Sequence, residues 1–145
     1  MHRQVLIAAL ALAPVARAEP PREAAEAPAW KVRAAVVGTV ARDTPATLEI
    51  VVETRAGFHL NDDYPIHFDV QPAPGVAFPR ARIDRKDVGL TPCAAGGHAC
   101  RARVPVAFTP SVTSSRAGGT LAFSACDAER CLIEKVAISA PVAAR

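Results

Sequence analysis

The stretch Thr47-Leu-Glu-Ile-Val-Val-Glu53 places Leu48, Ile50 and Val52 at every second position. A period of two puts those side chains on one face of a pleated strand, whereas a helix would scatter them around its axis. Residues 66–70 repeat the pattern, with Ile66, Phe68 and Val70 on one face and His67 and Asp69 on the other. Working outward, residues 31–37 form another strand candidate, as do Val104, Val106 and Phe108. Leu121, Phe123 and Ala125 lead up to a cysteine, and residues 132–139 return from a second one. Residues 76–83 make a weaker strand, broken by Pro79 and placed at an edge, and Pro105 hints at an edge or a bulge. Turn-favouring residues separate these runs at 56–57, 61–63, 72–75 and 116–119. No segment has the length and 3.6-residue period of a sizeable amphipathic helix. About seven or eight short strands in roughly 115 residues predict an all-β fold, an immunoglobulin-like antiparallel β-sandwich.

The chain has 145 residues, enough for one domain that buries a core without relying on cross-links. Residues 1–18 read as a signal peptide: His2 and Arg3, then an apolar run over 5–15, then Ala16-Arg17-Ala18 as the cleavage pattern. Residues 19–29, rich in Pro, Ala and Glu, read as a flexible linker, and residues 30–145 as the folded domain. The expected compartment is therefore the periplasm or the outside of the cell. No later segment supplies the roughly 20 apolar residues a membrane-spanning helix needs. Removing Arg3 and Arg17 with the leader leaves 15 basic and 14 acidic residues, a net charge of +1. Without a basic patch interleaved with aromatics, nucleic acid is not an expected partner.

Four cysteines carry the chemistry. Cys126 and Cys131 lie in FSACDAERCLIEK (123–135), at a turn between two strand-like runs. If those runs form a hairpin, the two residues face each other within disulfide reach. Strand parity sets Cys126 opposite to Phe123 and Ala125, and Cys131 opposite to Val136 and Ile138, so both sulfurs are expected on the solvent side. A loop this short gains only about 2 kcal/mol from a cross-link, so the bridge is a weak staple. Asp127, Glu129 and Glu134 disfavour a thiolate there, and Arg130 and Lys135 favour one. Spacing alone leaves two readings open, a structural staple and a redox pair.

The resemblance of two segments bears on that choice. FSACDAERCLIEK is similar to the cysteine hairpin of the N-terminal periplasmic domain of the thiol:disulfide interchange protein DsbD and its stand-alone relatives. GFHLNDDYPIHF (57–68) resembles the Gly-aromatic-His-x-Asn…Pro segment common in that group. The resemblance implies an immunoglobulin-like sandwich whose cysteine pair takes electrons from a thioredoxin-like domain and hands them on through mixed disulfides. It implies Cys126 and Cys131 as the shuttling pair, with Cys131 the attacking thiol, and thioredoxin-like proteins or a membrane thiol reductase as partners. Here Leu132-Ile133-Glu134 follows the second cysteine, where many members carry an aromatic residue and prolines.

Cys93 and Cys100 bracket a Gly-rich loop, which reads as a local structural disulfide at the place where a cap loop is expected. A second redox pair and cross-pairing with Cys126 or Cys131 are the other arrangements four cysteines allow. Cys93, His98 and Cys100 lack an evident fourth ligand, so neither a metal nor any other cofactor is expected. His59 and His67 stand without a paired nucleophile motif, and Ser124 without a G-x-S-x-G context. The function expected is thiol–disulfide exchange, and the alternative is a non-catalytic binding or assembly domain with two structural bridges.

Overall fold

The computed structural model describes residues 28–61, 63–91, 100–112 and 114–143. The expected signal peptide lies outside them, as do Cys93, His98 and most of the linker. Ala29, counted with the linker, belongs to the domain: it is buried and its carbonyl accepts the Arg55 backbone N–H.

Among the described residues, ten strands form two antiparallel sheets. The first holds β1 (Trp30–Val37), β2 (Ala46–Thr54), β8 (Arg101–Pro110) and β5 (Val76–Ala77) in that order, with β7 (Gly89–Thr91) also on β8. The second runs β10 (Cys131–Ala143), β9 (Ser114–Cys126), β4 (His67–Val70), β6 (Arg82–Ile83), with β3 (His59–Leu60) also on β9. This is the expected immunoglobulin-like class of sandwich.

The period-two sets meet between the sheets. Leu48, Ile50, Val52, Val104, Val106 and Phe108 come from the first sheet, and Phe68, Leu121, Phe123, Ala140 and Val142 from the second. All of them are almost fully buried. Trp30 closes one end, its ring edge-on to Phe123 with centroids 5.2 Å apart. On the outer face of the first sheet, Glu53 takes ion pairs from Lys31 at 3.0 Å, Arg33 at 2.9 Å and Arg101 at 2.5 Å. One carboxylate thus ties three neighbouring strands. The Lys31 hydrogen bond, with Arg101 and Arg33 behind it, holds its pKa below the usual carboxylate value.

Two expectations change. The predicted strand over 76–83 is two short ones, β5 in the first sheet and β6 in the second, because the chain crosses between layers around Pro79. Pro105 lies inside β8, opposite Glu49. Between β7 and β5, that part of β8 has a described strand on one side only, so the donor that proline lacks is not needed. The turn predicted at 116–119 is instead the interior of β9. Its glycines serve close approach there: a Cβ on Gly118 would collide with the Ile138 carbonyl oxygen, and one on Gly119 with the Asp69 carbonyl and the Phe68 ring. A Gly-Gly pair reads as a turn locally, but the approach of β4 and β10 to β9 is a tertiary fact.

Candidate redox site at the end of the long hairpin

β9 and β10 pair over thirteen positions, from Ser114 opposite Ala143 to Cys126 opposite Cys131. The cysteines are the last pair before the turn, and they are disulfide-bonded with their Cα atoms 4.0 Å apart. The turn is built by Asp127. Its carboxylate accepts the backbone N–H groups of Glu129 and Arg130, both at 2.8 Å, while its own N–H donates to the Arg130 carbonyl at 3.0 Å. An Asp side chain that receives amides two and three residues on is a local device for closing a turn.

Those two amide hydrogen bonds, with the charges of Arg130 and Arg55 behind them, hold the Asp127 carboxyl below its ordinary value of 3.8. The carboxyl binds its proton less readily in the folded hairpin than in the open chain. Its contribution is therefore complete above that ordinary value and is lost as the pH falls through the depressed one. Asp127→Ala is expected to loosen the turn and make the Cys126–Cys131 bridge easier to reduce at neutral pH. The rate of reduction by a water-soluble phosphine, which unlike a thiol still acts in acid, checks this, and variant and parent should converge when the measurement is repeated in acid.

The two sulfurs are not equivalent. Cys131 is exposed, but Cys126 is only 3% exposed, contrary to the expectation that both face solvent. The parity argument holds as far as it goes, since Phe123 and Ala125 do point into the core. What it misses is that β9 is an interior strand whose outer face is also covered near this end: Ala122 and Ser124 are buried as well. β3 and β10 flank Cys126 on either side, with His59 directly opposite it and Leu60 opposite Ala125. The three residues His59, Cys126 and Cys131 therefore form one row across the sheet, and side chains in such a row share a face.

The segment after β3 continues over the row. The Asn61 backbone N–H donates to the Ser124 carbonyl at 2.9 Å. Its side-chain oxygen accepts the Asp63 N–H at 3.0 Å, and its Nδ2 points at Cys131 Sγ at 3.9 Å. Asn61 and Tyr64 share a small cleft with Ser124, whose hydroxyl lies 3.8 Å from Cys126 Sγ. Tyr64 packs in turn against His67, their ring centroids 6.4 Å apart.

Cys100 is 1% exposed, disulfide-bonded and tied to the base of β3. Its N–H donates to the Thr54 hydroxyl at 2.8 Å, that hydroxyl donates to the Phe58 carbonyl at 2.9 Å, and Cys100 Sγ lies 3.6 Å from the same carbonyl. Cys100 thus meets the chain one residue before His59. His67 stands apart from the row, with Nδ1 3.2 Å from the Pro65 carbonyl and Nε2 3.7 Å from Asp69. Among the described residues no three His, Cys, Asp or Glu side chains gather as metal ligands, and no helix is long and apolar enough to cross a membrane.

Sequence reasoning singled out Cys126 and Cys131, and the resemblance picked out the Gly-aromatic-His-x-Asn segment that holds His59 and Asn61, but neither placed those two residues beside the bridge. The Asn-x-Asp spacing was a signal for the turn at 61–63, but the partner of its amide lies 70 residues away in sequence. Comparisons with protein-family models, with curated proteins and with solved structures found no match for this chain.

Proposed function

We propose that the chain is a thiol–disulfide exchange module whose working pair is Cys126 and Cys131. The observation that carries this reading is the asymmetry of a bridge at a hairpin tip: one sulfur is open to a partner and touched by an amide donor, and the other is enclosed. The hairpin does not depend on the bond, because thirteen residue pairs already hold β9 to β10. A cross-link over so short a loop adds only about 2 kcal/mol in the chain-entropy account.

The chemistry proceeds by two exchanges. A thiolate of a reducing partner attacks Cys131 Sγ, the Cys126–Cys131 bond breaks, and Cys126 leaves as a thiolate that takes up a proton. The partner's second thiol then attacks the partner's own sulfur in the mixed disulfide and releases Cys131. Two electrons and two protons now reside on the pair, and the partner is oxidised to its disulfide. In the outgoing half, the Cys131 thiolate attacks an acceptor disulfide and Cys126 resolves the adduct. The resemblance to the DsbD N-terminal domain supports a periplasmic setting reached through the signal peptide, with thioredoxin-like proteins or a membrane thiol reductase as donors and acceptors.

The burial of Cys126 favours the competing reading, a structural staple in a non-catalytic binding domain. Two measurements separate them. Reduced thioredoxin should open the Cys126–Cys131 bridge faster than an equal concentration of dithiothreitol, with the sandwich still folded. Cys126→Ala should retain partners as dithiothreitol-sensitive mixed disulfides, with a Cys93→Ala control run beside it. No adduct from Cys126→Ala, together with opening of the Cys100 disulfide before Cys126–Cys131, leaves the staple reading standing.

A further inference from the structure

We infer that the Asn61 side-chain amide is the donor that stabilises the Cys131 thiolate, and so selects Cys131 as the sulfur through which exchange runs. This rests on the exchange reading and names a residue that the cysteine spacing does not point to.

Asn61 cannot turn its amide freely. Its backbone N–H is fixed on Ser124, and its side-chain oxygen is held by the Asp63 N–H at 3.0 Å. With the oxygen engaged, the NH₂ end is the one left toward the bridge, and it lies 3.9 Å from Cys131 Sγ. β3 and β10 lie on opposite sides of β9, so the side chain reaches across β9 to its target. That path lies on the face that carries Cys126, which helps account for the enclosure of one sulfur while its neighbour stays open.

An amide N–H directed at sulfur contributes little while the sulfur is in a disulfide, a weak acceptor. It contributes more once that sulfur carries a full negative charge, because hydrogen bonds to ionised acceptors are the strong ones. The thiolate state arises twice at Cys131: when the donor's mixed disulfide resolves, and when the reduced pair attacks an acceptor. Other charged or titratable groups around the sulfur are His59 in the same row, Asp63 beside Asn61, and Asp127, Glu129 and Arg130 in the turn. Arg55 acts on the same turn through Asp127, and Lys135 lies two positions past Ile133 along the exposed side of β10. Opposite charges are interleaved there, so a directed neutral donor discriminates between the two sulfurs where the net field does not.

The test uses the mature chain carrying Cys126→Ala, in which Cys131 is the one thiol released at the hairpin. Its alkylation rate by iodoacetamide is followed against pH, and the modified peptide is identified by mass. Asn61→Asp keeps the oxygen that holds the Asp63 N–H but replaces the donor with a charged acceptor. Asn61→Ala removes both. If Asn61 is a thiolate donor, the midpoint should move up by about one pH unit in Asn61→Asp and by less in Asn61→Ala, since a like charge nearby disfavours ionisation more than loss of a dipole does. At neutral pH the Asp variant should react roughly tenfold more slowly. A merely structural residue gives the reverse order, with Ala the more disturbed because it loses the turn. Coincident profiles, that reverse order, or a shift confined to Asn61→Asp, which the field of the new carboxylate gives by itself, overturn the inference while leaving thioredoxin-driven reduction of the parent intact. If the midpoint moves as expected but thioredoxin reduces the parent no faster than dithiothreitol, the donor assignment stands and the exchange reading falls.

Discussion

Cys131→Ala is expected to lose mixed-disulfide formation almost entirely, while Cys126→Ala keeps it. In the Cys131→Ala variant the remaining thiol is Cys126, which is 3% exposed, flanked by β3 and β10 and overlain by the Asn61 side chain. An attacking thiolate must approach along the axis of the disulfide it opens, so access as well as ionisation sets the rate. Burial also disfavours the thiolate form, because a charge taken out of water loses its solvation. The two effects act together, and a difference on the order of a hundredfold in adduct formation is expected between the single-cysteine variants. Quantifying adduct with a small disulfide such as oxidised glutathione checks it without a natural partner. Equal rates would mean that the hairpin tip opens in solution and the sulfurs are interchangeable.

Phe123→Ala is expected to destabilise the domain by about 3–5 kcal/mol, the range for truncating a buried aromatic side chain. Phe123 is fully buried, packs in the shared core, and is the ring against which Trp30 sets its edge. Losing it leaves a cavity beneath the strand that ends in Cys126 and removes the anchor for the start of β1. A thermal midpoint lower by roughly 10 °C or more should follow, read by circular dichroism. Ile133→Ser is the control. Ile133 is 63% exposed on β10, and surface changes of that kind stay within about 0.5 kcal/mol. A small effect at Phe123 would mean that the two sheets are not packed through this residue.

The strand assignments were legible because burial of one face imposes a period of two on the sequence. Leu48, Ile50 and Val52 show it plainly, as do Leu121, Phe123 and Ala125, and these residues line the core. The cysteine hairpin was legible for a related reason: two strand-like runs with four residues between Cys126 and Cys131 leave the chain little choice but to fold back. Local signals failed where a residue's role depended on a distant neighbour. Gly118 and Gly119 look like a turn, yet they are the places where β4 and β10 come close to β9. Residues 76–83 look like one weak strand, yet they contribute to both sheets.

The site divides along the same line. By itself the sequence determined the all-β class, the hairpin that sets Cys126 opposite Cys131, and the side of β9 on which Cys126 sits. Each follows from periodicity or short-range geometry. Only the tertiary structure decided that this side is covered at Cys126 and open at Cys131, because the cover comes from β3 and Asn61, more than sixty residues upstream. Parity says which way a side chain points. What lies above it depends on which strands the sandwich brings together, and that is settled by the packing of the whole core.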